Sequence, residues 1–176
     1  MFNWQWLVED QTIQTVFDGV VAHPLELKPR QLRADLTSGE LAADFEDLEH
    51  FNRFSDYLSG LDYFSEEQIR MAALHGSALL KFGKPLMPQS WYFQVSAYEP
   101  EEHAMTCMLN SGFEQGNFLI LERDSRSCLC MLLGQNCEID VSREMRQFEM
   151  IRVLNDRVQP CIWKRSELTS SHKNLA

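Results

Sequence analysis

The chain has 176 residues, 44% of them hydrophobic and 24% charged, which suffices to bury a core and excludes disorder as the main state. With 16 basic and 26 acidic side chains the net charge is −10, which argues against general affinity for the phosphate backbone of nucleic acid or for an anionic membrane. The opening MFNWQWLVED lacks the basic and apolar regions of a signal peptide, and no apolar run approaches spanning length, so a cytoplasmic chain is the expectation.

In chain order, NWQWLVE sets Trp4, Trp6 and Val8 against Asn3, Gln5 and Leu7, and TIQTVF follows across the polar link DQ, which predicts two paired strands. FDG supplies a turn, and Val20 and Val21 begin a third strand that Pro24 and Pro29 limit or hold at an edge. From Asp35 to Glu67 there are 10 acidic residues and one basic one, Arg53. Phe51, Phe54, Leu58 and Leu61 recur beneath them at helical intervals, so the run reads as a solvated helical face. A second helix starts after Ser65, an N-cap with Gln68 at the capping-box position. Its apolar face is Ile69, Ala72, Ala73, Gly76, Leu79 and Leu80. Gly83 fits a left-handed position after the last turn, and Pro85 stops the helix near Phe82.

Beyond Trp91 short runs alternate with turn signals: WYFQVSAY, AMTCMLN, NFLILER, SCLCMLL, CEIDVS and EMIRVLNDRVQPCIW. The spacing predicts a small antiparallel barrel or tightly bent sheet, with hairpins turning at Asp124–Ser125 and at Asn155–Asp156. The fold class is α+β: an N-terminal α/β domain over residues 1–88, a β-barrel-like domain over 89–165, and a loose polar tail over 166–176.

Familiar catalytic signatures are missing. Gly83 and Lys84 are followed by Pro85 where a P-loop needs Ser or Thr, and no dinucleotide, zinc-protease or hydrolase motif occurs. Cys107, Cys128, Cys130, Cys137 and Cys161 are odd in number, lie in apolar surroundings and read as reduced core thiols rather than metal ligands. No cofactor, metal or catalytic residue is expected.

NWQW, KPLMPQSWYF, CEIDVSREM and VLNDRVQP occur in the order and spacing of the bacterial cell division protein ZapC family, which the chain resembles over nearly its whole length. Lys84-Pro85-x-Met87-Pro88-x-Ser90-Trp91-x-Phe93 is the most specific of the four. The resemblance implies a non-enzymatic cytoplasmic adaptor at the mid-cell division ring that binds polymers of the tubulin-like GTPase FtsZ, bundles them and slows their GTP hydrolysis. It also implies the two-domain division. A small-molecule-binding or thiol-dependent barrel is the alternative, and it requires a ligand-sized cavity holding a titratable group of shifted pKa.

For an adaptor of charge −10 binding an acidic partner, a local basic patch is required. Lys84, Met87, Trp91, Arg143, Arg152 and Arg157 are the candidate partner-binding residues, with Phe17 as an outlying one. Pro85 and Pro88 hold an extended strut that fixes Leu86 and Met87 at a domain seam, with Lys84 at its rim. The plainer reading is a helix-to-strand connection with both side chains buried. Arg152 and Arg157 are expected to face one another across the hairpin at Asn155–Asp156. Without a heptad repeat, a monomer is expected.

Overall fold

A computed structural model describes residues 4–99 and 101–163; the expected polar tail from Ser166 lies outside them. β1 (Trp4–Glu9), β2 (Thr12–Phe17) and β3 (Val20–Pro24) form an antiparallel meander. Both connections are two-residue turns with positive φ at the two central positions, Asp10 and Gln11 (46° and 62°) and Asp18 and Gly19 (51° and 81°), the signature of the type I′ turn that matches strand twist. The period-2 pattern buries Trp4, Trp6 and Val8 as expected, with the two indole rings 4.7 Å apart. β4 (Gly39–Ala42) was not foreseen. It joins β1 to give the order β3-β2-β1-β4, and it escapes periodicity because all four of its residues are exposed.

α1 (Phe45–Gly60) and α2 (Glu66–Phe82) each open with a capping box, Asp44 with Asp47 and Ser65 with Gln68. α1 buries Phe54 and Leu58 under the acidic run. α2 is covered nearly all round, from Ala72 through Leu79, because the N-terminal sheet, α1 and the C-terminal sheet all pack around it. A Cβ on Gly76 would come within 3.0 Å of Leu121 and 3.1 Å of Phe54, so glycine permits this approach. Gly83 corrects the expectation of a left-handed cap: its φ is −68°. A Cβ there would meet the Leu79 carbonyl oxygen at 2.3 Å and Met150 at 2.8 Å, so close packing excludes a side chain.

The second half contains β5 (Thr106–Asn110), β6 (Gln115–Arg123), β7 (Ser127–Leu132), β8 (Asn136–Asp140), β9 (Arg143–Arg146) and β10 (Met150–Leu154). The antiparallel sheet runs β10-β7-β6-β5, and β8 and β9 form a separate hairpin. The turn at Asp124–Ser125 is as expected; the Asp124 carboxylate accepts the amide hydrogens of Arg126 and Ser127. Two expectations are corrected. Residues 91–98 form a short 3-10 turn and irregular backbone rather than a strand. Asn155–Arg157 is a 3-10 turn rather than a hairpin, so Arg152 and Arg157 do not face one another across paired strands.

No closed barrel is found among the described residues, and the sheet takes the other expected form, a tight bend. The chain leaves β10 at Leu154 and, five residues on, Gln159 is bridged to Met108 of β5 at the opposite edge. In a flat sheet that position lies four strand spacings away, roughly 19 Å, beyond the roughly 13 Å that five residues containing a 3-10 turn cover. The sheet is therefore strongly curled, and among the described residues this bridge is the backbone pairing that joins its two edges.

One apolar cluster joins Trp4, Trp6, Ile13, Phe54 and α2 to Leu119, Leu121, Met131 and Met150 of the C-terminal sheet. A second, from Phe93 to Val158, contains the buried thiols of Cys107, Cys128, Cys130 and Cys137. Polar contacts add to the junction. The Gln31 amide donates to the Met150 carbonyl at 2.8 Å and accepts its amide hydrogen at 2.6 Å, as a neighbouring strand would. Buried Glu149 pairs with Lys28 and Arg30.

A candidate partner-binding face

The segment from Lys84 to Trp91 runs extended along the outer edge of β10. Its two prolines cannot donate backbone hydrogen bonds, which leaves few amides to be satisfied. Those that remain are committed: the Lys84 amide donates to the Gln31 carbonyl at 2.9 Å and the Gln89 amide to the Arg152 carbonyl at 2.8 Å. Buried Ser90 accepts the Leu154 amide hydrogen on its hydroxyl oxygen at 2.8 Å. The strut thus covers an edge strand that would otherwise present an open hydrogen-bonding row.

Six of the seven predicted residues belong to this strut or touch it, but in other roles than a free basic rim. Arg152 donates from Nε to the Leu86 carbonyl at 3.1 Å, from Nη1 to the Ser127 hydroxyl at 3.0 Å and from Nη2 to Glu122 at 3.1 Å, with Asp124 3.8 Å away. Arg157 donates to the Ser90 carbonyl at 3.2 Å and pairs with Asp156 at 2.7 Å. Arg143 lies 4.9 Å above the Tyr92 ring and donates to its hydroxyl at 3.0 Å. The arginines hold the strut from beneath, and acidic neighbours meet the charges of two of them.

Held in this way, the strut turns Met87 (82% exposed) and Trp91 (70% exposed) outward. This corrects the burial of Met87 at a seam; only Leu86 is partly buried against the core. With its ring in solvent, Trp91 can be truncated at little cost to the fold. Lys84 is exposed beside them. Phe17 lies elsewhere, stacked on Trp4 at 6.1 Å. An open depression of about 550 Å³ lies between the strut and the β6–β7 turn, lined by Leu86, Met87, Pro88, Leu154, Arg126 and Arg152 among others. Exposed Arg126 is not singled out by periodicity or charge count, although its place just after a predicted turn marks it as accessible.

Burial pushes the thiols of Cys137 and Cys161 up to about 12, so both stay protonated at neutral pH and are poor nucleophiles. No group of three or more metal-ligating side chains occurs among the described residues, and no helix among them is long and apolar enough to cross a membrane.

Arg152→Ala is expected to lower stability by about 2 kcal/mol, since the Leu86 carbonyl and Ser127 hydroxyl lose their donor while the half-exposed Glu122 and Asp124 add little. Thermal melting should fall by roughly 4–8 °C; an unchanged melt would show that the guanidinium does not hold the strut.

The sequence profile described as "Cell-division protein ZapC, C-terminal" matches residues 85–163. The chain is 33% identical over 165 residues to "Cell division protein ZapC" of Idiomarina loihiensis, covering 90% of this chain and 88% of that one. It is 30% identical to the protein of the same name from Pseudoalteromonas translucida, covering 91% and 92%. The corresponding Aeromonas hydrophila protein is 29% identical over 163 residues, covering 90% and 89%.

Proposed function

Because the chain belongs to the ZapC family of cell division proteins, we propose that it is a non-enzymatic adaptor that binds FtsZ polymers at the division ring through the strut face. In this reading it bundles and stabilises the filaments and lowers their GTP turnover, working as a cytoplasmic monomer without a cofactor. The division into residues 1–88 and a barrel-like unit over 89–165 belongs to the same reading, and a cluster drawn only from residues 93–158 supports it.

The observation that carries the proposal is the outward display of Met87 and Trp91 on a strut whose backbone carbonyls bond Arg152 and Arg157 and whose Gln89 side chain bonds Arg143. Large exposed apolar side chains on a rigid support are the usual origin of interface binding energy, and preordering lowers the entropy lost on association. Lys84 and Arg126 supply positive charge beside them, which an adaptor of charge −10 needs when its partner is acidic.

Co-sedimentation with FtsZ and GTP, paired with thermal melting, tests this. Trp91→Ala combined with Met87→Asp should weaken pelleting at least about tenfold and abolish the fall in GTP turnover. Both positions are exposed, so melting should stay within roughly 2 °C of the parent. A well-folded double variant that pellets and slows turnover like the parent would remove the strut face from the contact.

A further inference from the structure

β4 pairs with β1 on one side only. Its register matches Trp6 with Leu41 and Val8 with Gly39, and the Ala43 amide donates to the Trp4 carbonyl at 3.0 Å. That bond sets the phase of the ladder. In an antiparallel pair, hydrogen-bonded and non-hydrogen-bonded pairs alternate. Trp4–Ala43, Trp6–Leu41 and Val8–Gly39 are then the bonded pairs, and the amide and carbonyl groups of Glu40 and Ala42 point away from the sheet. Among the described residues nothing pairs with them.

The surroundings of this edge are apolar and acidic together. Leu41 is 47% exposed and Phe45 74% exposed, with Leu48 beside them at 39%. A depression of about 250 Å³ adjoins the strand, lined by Val8, Leu36, Leu41 and Phe82, with Arg33 and Asp35 also at its wall. The same edge is acidic: Glu40 is exposed on β4, and Asp44, Glu46 and Glu49 are exposed at the cap and first turns of α1; among the described residues only Asp44 of these four is met by a cation, Lys81.

From this we infer that β4 is a docking edge for an extended basic segment of a partner protein. The segment adds as a fifth strand, bonds to the free groups of Glu40 and Ala42, sets an apolar side chain against Leu41 and Phe45, and meets the acidic side chains with Lys or Arg. Main-chain bonds supply affinity in such strand addition, and alternate side chains supply selectivity. A second copy of this chain fits poorly, because β4 against β4 brings two acidic edges together, and like charges facing across strands repel. The site is separate from the strut face and does not depend on what that face binds.

The probe is a short synthetic peptide alternating Lys with Val or Ile, added to the full chain at low ionic strength and followed by amide NMR and hydrogen exchange. The Glu40 and Ala42 amides should gain at least about tenfold protection, and the counterpart with Glu in place of Lys should give none. Ala42→Pro removes one outward donor without touching the bonds to β1, a placement that edge strands tolerate. It should weaken peptide binding about tenfold or more while the parent melting temperature is retained. Glu40→Lys with Glu46→Lys should do the same through charge alone, so the test survives a misfolded proline variant. The inference is overturned if protection appears at other amides, if the acidic peptide binds equally, if the folded variants bind like the parent, or if sedimentation shows that a second copy occupies the edge.

Discussion

Asp47→Ala is expected to lower stability by about 3–5 kcal/mol, because it removes one partner of a buried ion pair and leaves the others unsatisfied. The Asp47 carboxylate is 2% exposed, although it sits in the first turn of α1. Its Oδ2 accepts the Trp6 indole hydrogen at 3.1 Å, the Asp44 amide hydrogen at 2.9 Å and the Lys81 ammonium at 2.8 Å. Three elements therefore meet on one oxygen: the innermost tryptophan of the sheet, the cap of α1 and the last turn of α2. Burial would pull the Lys81 ammonium down, but its bonds to Asp47 and Asp44 carry it above its ordinary value. The positive end of α1 favours the carboxylate as well. A loss of this size should lower the melting temperature by roughly 10 °C. Asp47→Asn, which keeps an acceptor for Trp6 and the cap, should lose less. Chemical denaturation showing Asp47→Ala within about 0.5 kcal/mol of the parent would mean that the three elements are held by apolar packing alone.

Between pH 6.5 and 4 the protein is expected to lose roughly 3 kcal/mol of stability through His75 alone. Burial pulls its imidazole down to about 4, a shift only partly opposed by the bond to the Met71 carbonyl. The ring stacks on Phe148 at 3.8 Å, and its Nε2 accepts the Glu26 amide hydrogen at 3.0 Å. That acceptor role, with Nδ1 set 2.6 Å from the Met71 carbonyl, defines the neutral tautomer. A folded pKa below the unfolded value means that the unfolded chain takes up a proton first as pH falls. Stability therefore declines from the unfolded value near 6.5 down through the folded value near 4, and below that the two states bind protons equally again. Asp44 and Asp124 are held below their ordinary range chiefly by backbone amide hydrogens, and their contributions fade at lower pH still, as each is protonated. Urea titrations at pH 7 and 4.5 should show the loss, and His75→Gln should flatten the slope by about one proton. An unchanged slope in that variant would assign the acid sensitivity elsewhere.

The acid sensitivity has its origin in a place that the helical pattern did not mark. Periodicity along α2 picks out Ile69, Ala72, Ala73, Gly76, Leu79 and Leu80, one face of an ordinary amphipathic helix. His75 and Ser77 are nonetheless fully buried, because more than one layer packs around the helix, with Phe148 stacked on His75. Their polar groups are met within reach of the helix: Ser77 donates to the Ala73 carbonyl at 2.8 Å, and His75 lies against Met71. The same limit applies to β4, where full exposure erases the alternation that marks β1, and to Gly83, whose missing side chain answers to Met150 rather than to a turn.

What the sequence determined by itself is local. The two-residue turns, the Ser65–Gln68 capping box, the apolar stripe of α1, the β6–β7 turn and the family motifs are set by residues a few positions apart, so each is legible where it stands. What only the tertiary structure decided is the role of residues whose partners are distant in the chain. Arg152 reaches Leu86 across 66 positions and Gln31 reaches Met150 across 119. A charge count registers such an arginine as available for a partner, yet the fold spends its donors on a strut carbonyl and its charge on Glu122. The strut shows the same division: its prolines mark it as extended and short of donors, but Met87 and Trp91 face solvent because β10 and three arginines occupy its inner side. Burial is a property of what packs against a residue, and a linear pattern reports it only when a single regular element meets a single core face.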